Sequence, residues 1–222
     1  HGCDAVLSRM KRGYTIGEYM EMLHRVRESL PHAAVTSDFI VGFCGETDAE
    51  FTRSLDLLRS ANFKNSYIFK YSPRPGTKAF ERQIDDVPEA VKRGRNQMLL
   101  DAQTVVSLAG NQPFIGTRQQ VLVEGLSARE EKNGGLPSVD GQAQLMGRTP
   151  CDRIVVFHAP LRLIGRLVDV DITATAAWSL VGVVADGLAE AKLLDELPSP
   201  ASASALYAIA LPTRTPAGAA RA

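Results

Sequence analysis

The stretch "TSDFIVGFCGET", residues 36–47, decides how the first half of the chain is read, because it sets an aspartate inside a strand-like run and follows it with two glycines and an acid. The run around it, "AAVTSDFIVGF", is β-branched and aromatic and is bounded by Pro31 and Gly42, which reads as a strand buried on both sides. Alternation puts Thr36, Asp38 and Ile40 on one face and Val35, Ser37, Phe39 and Val41 on the other. In a parallel barrel one strand face points inward, where an unpaired carboxylate costs about 3–5 kcal/mol. Asp38 therefore needs a partner, and two readings stay open: satisfaction by backbone amides or an internal arginine, or engagement of a ligand. Gly42 and Gly45 fall just past the strand's carboxyl end, where α/β folds bind ligands, and they fit a tight strand-to-helix turn equally well.

Outward from this strand the pattern alternates. Thr15 with Glu18 forms a capping box, and apolar residues recur at helical spacing from Ile16 to Val26, stopping at Pro31. Thr47 with Glu50 opens a second helix carrying Phe51, Leu55 and Leu58 and ending near Asn62. "NSYIFKYS" is a further strand, and the prolines of "PRPGT" prevent its continuation. Helix, strand, helix, strand is the arrangement of α/β folds with a parallel sheet. A longer helix follows, entered by Asp86 as its capping residue with Pro88 in the first turn and closed near Gly110.

Past that helix the period changes. "RQQVLVEG", "QAQLMGR", "RIVVFH", "RLVDVDIT" and "WSLVGVV" are short strands between polar or glycine-containing turns, which predicts a small closed β-barrel of the OB type. From about Ala185 the chain is rich in Ala, Pro and Ser, and apart from a turn or two of helix around "LAEAKLLDEL" it is expected to be disordered. The expected division is 1–111 for the α/β part, 112–184 for the barrel and 185–222 for a low-complexity tail.

Composition adds bounds. The chain has 222 residues, 45% of them hydrophobic, with 25 Lys plus Arg against 25 Asp plus Glu, so no global field favours nucleic acid or membrane and any basic surface must be local. Three separated cysteines fit a reducing, cytoplasmic setting better than a disulfide framework. There is no apolar run of about 18 residues to span a membrane and no signal peptide. The opening "HGCDAVLSRM" enters a helical pattern almost at once, as a piece of a longer protein would.

The cationic cluster "RMKRGYT" is either a solvated loop face or, through Arg12, a bidentate fork for a carboxylate ligand. Cys3, Cys44 and Cys151 lack the close spacing of metal or cluster ligands, so each reads as a small hydrophobe, and no metal site is expected from this chain alone. The four histidines stand apart in sequence and indicate no nucleophile system.

Taken in order, "GCDAVLSRMKRGYT", "TSDFIVGFCGET", "FKYSPRPGT" and the late "LMGRT", "RIVVF", "LIGRLVDVDIT" and "SLVG" resemble the tRNA methylthiotransferases of the radical-SAM superfamily, the MiaB type. The resemblance runs from about Gly2 to Val184. It implies an α/β fold whose residues up to about 110 are the later part of a radical-SAM (TIM-like) partial barrel, followed by a five-stranded, OB-like TRAM barrel that binds RNA. It further implies attachment of a methylthio group to C2 of the N6-isopentenyl-type adenosine at position 37 of tRNA, beside the anticodon. The cofactors implied are S-adenosylmethionine and two 4Fe-4S clusters. On this pattern Arg12 and Asp38 bind the carboxylate and the ribose or amino group of S-adenosylmethionine, and Ile40, Gly42, Tyr71 and Ser72 line the adenosine pocket. A zwitterionic ligand would then pair both side-chain charges.

The TRAM resemblance and their placement on or beside separate strands make Arg118, Arg148, Arg153 and Arg166 the candidate contacts to a tRNA anticodon stem-loop. The pattern is not complete: the family's C-x-x-x-C-x-x-C triad is absent, His1 stands where the family usually has Ser, and Cys44 where it usually has Pro. Without the triad the chain alone is expected to be inactive, acting with the missing N-terminal domains of the same protein. Two alternatives are a methylthiotransferase acting on a ribosomal-protein aspartate and a non-catalytic, TRAM-containing RNA-binding module.

Overall fold

The computed structural model describes residues 1–134 and 141–185. The expected low-complexity tail beyond Ala185, with its turn of helix, lies outside the described residues.

The first half is a helix-backed parallel strand pair. Helix α1 (Asp4–Arg9) leads to α2 (Ile16–Ser29), whose Thr15 cap is a complete capping box: the Glu18 amide donates to Thr15 Oγ1 at 3.2 Å and the Thr15 amide to the Glu18 carboxylate at 2.8 Å. Strand β1 (Thr36–Val41) then crosses over through α3 (Asp48–Ala61), again entered by a capping box, Thr47 with Glu50, and closed by Asn62 in the left-handed region. Strand β2 (Asn65–Lys70) pairs parallel to β1 with Thr36 opposite Asn65 and Val41 opposite Lys70. One face of this pair is a core in which Phe39 and Val41 meet Leu23 of α2, Phe51, Leu55 and Leu58 of α3, and Phe63.

The other face is open. Thr36 and Asp38 are exposed, and on the same face of β2 Tyr67, opposite Asp38, and Phe69, opposite Ile40, keep 57% and 53% of their surface in solvent. The expectation of a strand buried on both sides therefore fails, because the helices that cover β1 and β2 all pack on the Phe39 side.

After the short helix α4 (Lys78–Arg82), α5 (Glu89–Asn111) runs back along the strands. Its N-cap is Pro88 without a side-chain cap, not Asp86. Asp86 instead accepts a hydrogen bond from the Gly45 amide at 2.7 Å, and the fixed φ of Pro88 starts the helix. The buried row of α5 is mostly polar: Lys92, Arg95, Leu99, Gln103, Ser107 and Asn111. These groups find partners in the strand layer. Gln103 donates to the Phe63 carbonyl at 3.1 Å, Ser107 to the Lys64 carbonyl at 2.9 Å, and the neighbouring Asn96 to the Ile68 carbonyl at 3.0 Å.

The second half is a closed barrel. Strands β3 (Arg118–Leu126), β4 (Gln142–Arg148), β5 (Ile154–Pro160), β6 (Leu167–Thr175) and β7 (Leu180–Val184) follow in sequence, with the short helix α6 (Ala128–Lys132) after β3. They close in the order β3-β4-β5-β7-β6, with β6 returning to β3, and β5 and β7 are the parallel pair. Register shifts between Val123 and Gly125 and between Ile172 and Ala174 mark bulges where the sheet turns its corners. At Gly147 any side chain would collide with the neighbouring strand, since a Cβ would lie 2.3 Å from the Leu122 carbonyl oxygen. The interior is apolar, built from Val121, Leu145, Phe157, Val170, Ile172 and Leu180 among others.

The halves meet at the end of α5. Asn111 donates to the carbonyls of Ala176 and Ala177 at 2.8 and 3.2 Å and accepts from Arg153 Nε at 3.1 Å, while Lys64 pairs with Asp152 at 2.6 Å.

Candidate functional site

Three connected loops shape the carboxyl end of the strand pair. The loop after α1 turns through Lys11 at φ 60° and is tied to α3 by Arg9, whose guanidinium grips the Glu50 carboxylate through two hydrogen bonds of 2.9 Å. That fork, with lesser help from the Thr47 cap, holds the Glu50 carboxyl down at about 2. Two adjoining cavities of about 380 Å³ each lie between this loop, β1 and the stretch after β2, sharing Ile40, Tyr71, Thr77 and Ala79. One is bordered by Arg12 and Arg82, the other by Ser72 and Arg74.

Of the residues singled out from sequence, Arg12, Ile40, Tyr71 and Ser72 line these cavities. Asp38 does not. It stands on the same open face as Ile40, one alternation further from the strand's carboxyl end, exposed and without a hydrogen bond or ion pair among the described residues. Its supposed burial is thus corrected: the missing partner carries no penalty because water solvates the carboxylate. Gly42 is buried but turned away from the cavities, at φ 70°, where an added Cβ would lie 2.3 Å from Lys92 Cγ. It is required by the turn and by this close approach.

Beneath the cavities lies a charged lattice that sequence reading missed. The Glu46 carboxylate is buried, bonded to His1 Nε2 at 2.7 Å, to Arg95 at 2.9 Å and to the amide of Gly42. Arg95 also donates to the Glu46 carbonyl at 3.0 Å and pairs with Asp48 at 2.7 Å. Lys92, 3% exposed, pairs with Asp85 at 2.6 Å and lies 5.3 Å from the centre of the Tyr71 ring. The acid of the opening motif was visible, but its partners lie 45 and 49 residues away and no local spacing announces them. Burial, with the neighbouring Cys44 and Asp85, pushes the Tyr71 hydroxyl up to about 12. It therefore remains protonated, and able to donate, throughout the physiological range.

The cysteines divide. Cys3 and Cys44 are buried with Val6 and Phe43 under the cavities. Cys151 is half-buried on the barrel; burial pushes its thiol up, but the Thr149 hydroxyl and Arg153 at 3.2 Å outweigh this and hold it below its ordinary value. Among the described residues no three His, Cys, Asp or Glu side chains group to hold a metal ion. This chain's described residues therefore do not fit an iron–sulfur cluster.

Of the four barrel arginines, Arg148 and Arg153 border one further cavity of about 340 Å³ at the junction of the two halves. Arg148 is paired with Asp152 at 2.6 Å and Glu124 at 3.2 Å. Arg153 lies over the Phe114 ring at 4.3 Å. Arg118 and Arg166 lie off this cavity, the first forked onto Asp171 at 2.8 and 2.9 Å and the second bonded to the Arg162 carbonyl at 3.1 Å. No helix among the described residues is long and apolar enough to cross a membrane.

Comparison with known proteins fits both halves. Residues 112–185 match the TRAM domain, the class of small barrel that β3 to β7 build. A tRNA-2-methylthio-N(6)-dimethylallyladenosine synthase of Rhodopirellula baltica is 52% identical over 184 residues, covering 82% of this chain and 38% of the relative. Relatives with the same name from Methylibium petroleiphilum and Bordetella petrii are each 44% identical, over 83% and 85% of this chain and 38% and 37% of their own length. The chain is similar to these synthases over more than four fifths of its own length and spans somewhat over a third of the length of the relatives it matches.

Proposed function

We propose that this chain is the carboxyl-terminal part of a cytoplasmic tRNA-2-methylthioadenosine synthase, with residues 1–111 holding S-adenosylmethionine and residues 112–184 gripping the anticodon stem-loop. The observation that carries this reading is the 52% identity over 184 residues, which extends across the cavity-bearing layer as well as the barrel. The cavities suit the cofactor. Arg12 offers a guanidinium at the rim, Ile40 and Tyr71 offer apolar walls, and the protonated Tyr71 hydroxyl is a donor. S-adenosylmethionine would supply the methyl group and the radical-forming bond for attack at C2 of the N6-dimethylallyl-type adenosine. This chain's part is to bind and orient: Arg12 takes the carboxylate, Ile40, Tyr71 and Ser72 border the adenosine, and Asp38, at the open end of the same face, remains available to its ribose or amino group. The described residues offer no cluster ligands, so both 4Fe-4S clusters would be held by other segments of the protein.

For the RNA, Arg148 and Arg153 are the favoured contacts, with Arg118 and Arg166 on neighbouring surfaces. The test combines two titrations of the 222-residue chain. Calorimetry with S-adenosylmethionine should show binding that Arg12→Ala weakens. Anisotropy with a labelled anticodon stem-loop should show binding whose salt dependence has a slope of about −0.7 to −0.9 per neutralised phosphate, reduced by about one unit in Arg148→Ala. No stem-loop binding at low salt, or an unchanged slope, would remove the barrel's assigned role.

A further inference from the structure

The cavity at the junction of the two halves has a composition that neither half explains by itself. Trp178, between β6 and β7, is 50% exposed, and Tyr67, on the open face of β2, is 57% exposed; both border this cavity and neither belongs to a core cluster. Around them stand Lys64, Arg148 and Arg153, with Asp152 as the single carboxylate of the lining. Asp152, held at φ 60°, sits between Lys64 and Arg148 at 2.6 Å from each, so two cations share one acid there, and Glu124 reaches Arg148 only from outside the cavity. Among the described residues Arg153 has no carboxylate partner. Its guanidinium is fixed instead by Asn111, by Cys151 Sγ and by the Phe114 ring. Exposed aromatic surface beside pre-positioned, incompletely neutralised cations matches a flat base joined to a phosphate.

The strand leading out of the cavity strengthens this. Asn65 and Tyr67 border the junction cavity, whereas Phe69 and Tyr71 border the cavities assigned to the cofactor. Alternate residues of one strand share a face, so these four form a continuous line about 20 Å long from one place to the other.

We infer that the junction cavity is a subsite for one unstacked nucleotide of the bound RNA, its base lying against Trp178 and Tyr67 and its phosphate drawn by Arg148 and Arg153. This rests on the proposed RNA partner and goes further, in that it names a stacking contact shared by both halves. The alternative occupant with similar charge, an acidic peptide, is separated by the experiment below.

The chain contains one tryptophan, so its emission reports on this cavity alone. The intact chain is titrated at low salt with a short oligoadenylate, with an abasic oligomer carrying the same number of phosphates, and with polyglutamate, binding being followed independently by anisotropy of the labelled probe. The expected result is quenching of Trp178 by oligoadenylate and little by the abasic oligomer. Trp178→Ala should bind oligoadenylate about tenfold more weakly, the scale of one lost base stack, and Trp178→Phe should recover most of the loss. Tyr67→Ala is a second variant on the other half; because both side chains are half in solvent, unchanged circular dichroism is expected for each. Oligoadenylate binding with unchanged emission and unchanged affinity in Trp178→Ala would overturn the subsite while leaving the RNA reading intact. Equal quenching by polyglutamate would overturn the nucleotide assignment, and absence of any RNA binding would overturn the subsite together with the proposed RNA partner.

Discussion

The two halves of this molecule hold themselves together by different means. The barrel closes its backbone hydrogen bonds strand to strand and fills its interior with apolar side chains such as Leu145, Phe157 and Ile172. The strand pair has an apolar core on one face only, and its long helix is fastened by buried polar groups, Lys92, Arg95, Gln103 and Ser107, each bonded to a distant partner. A closed sheet tolerates small errors in any one side chain. A helix fastened through charges depends on each pair, because removal of one member leaves the other buried and unsatisfied.

The sharpest way to break this comparison is Arg95→Leu. It leaves the buried Glu46 carboxylate with only His1 and the Gly42 amide and no arginine, and loss of one member of such a pair is expected to cost about 3–5 kcal/mol. Chemical denaturation followed by limited proteolysis should show the first half opening while a fragment near 112–184 stays resistant. Equal loss of resistance in both parts would show that they open as one unit. The barrel's counterpart is Leu145→Ala, fully buried, with an expected cost of about 3 kcal/mol. Here hydrogen exchange should rise across β3 to β7 and leave α3 and α5 protected.

A smaller effect is expected from Arg9→Ala, about 1 kcal/mol at neutral pH, since the pair is partly screened by solvent. Its pH dependence carries more information. Glu50 has a folded value of about 2 against an ordinary 4.5, so the stabilisation is complete above about pH 4.5 and is lost as the pH falls toward 2. Wild type and Arg9→Ala should therefore converge in urea midpoint across that window. The smallest effect belongs to Arg118→Ala, since it and its partner Asp171 are each about half exposed and solvent screens the pair; its thermal midpoint is expected not to move measurably.

What could be read from sequence divides along the same line. Both capping boxes were legible because their signals span three residues, and the five barrel strands because alternation with apolar residues inward is a local pattern. Asp38 was misplaced because alternation assigns a residue to a face without saying what covers that face. Asp86 looked like a cap because it precedes a helix, whereas the unsatisfied amide of Gly45, far off in sequence, claims it. The Glu46–Arg95 and Lys92–Asp85 pairs are products of the tertiary fold. Of the cofactor candidates, those at the strand ends and in the neighbouring loop, Arg12, Ile40, Tyr71 and Ser72, came together around cavities, because position at the carboxyl end of a parallel strand is itself a local cue.

Helix α5 has one further consequence. Near its start Lys92 lies against Tyr71 beside the two strand-end cavities, and at its end Asn111 holds the barrel beside the junction cavity. At the helical rise the two positions are about 28 Å apart. The helix is thus a calliper. Under the proposed function, which nucleotide reaches the cofactor would be chosen by the length of strand between two fixed jaws rather than by the identity of the bases along it, and adding four residues within α5 would move the jaws apart by about 6 Å and shift the choice.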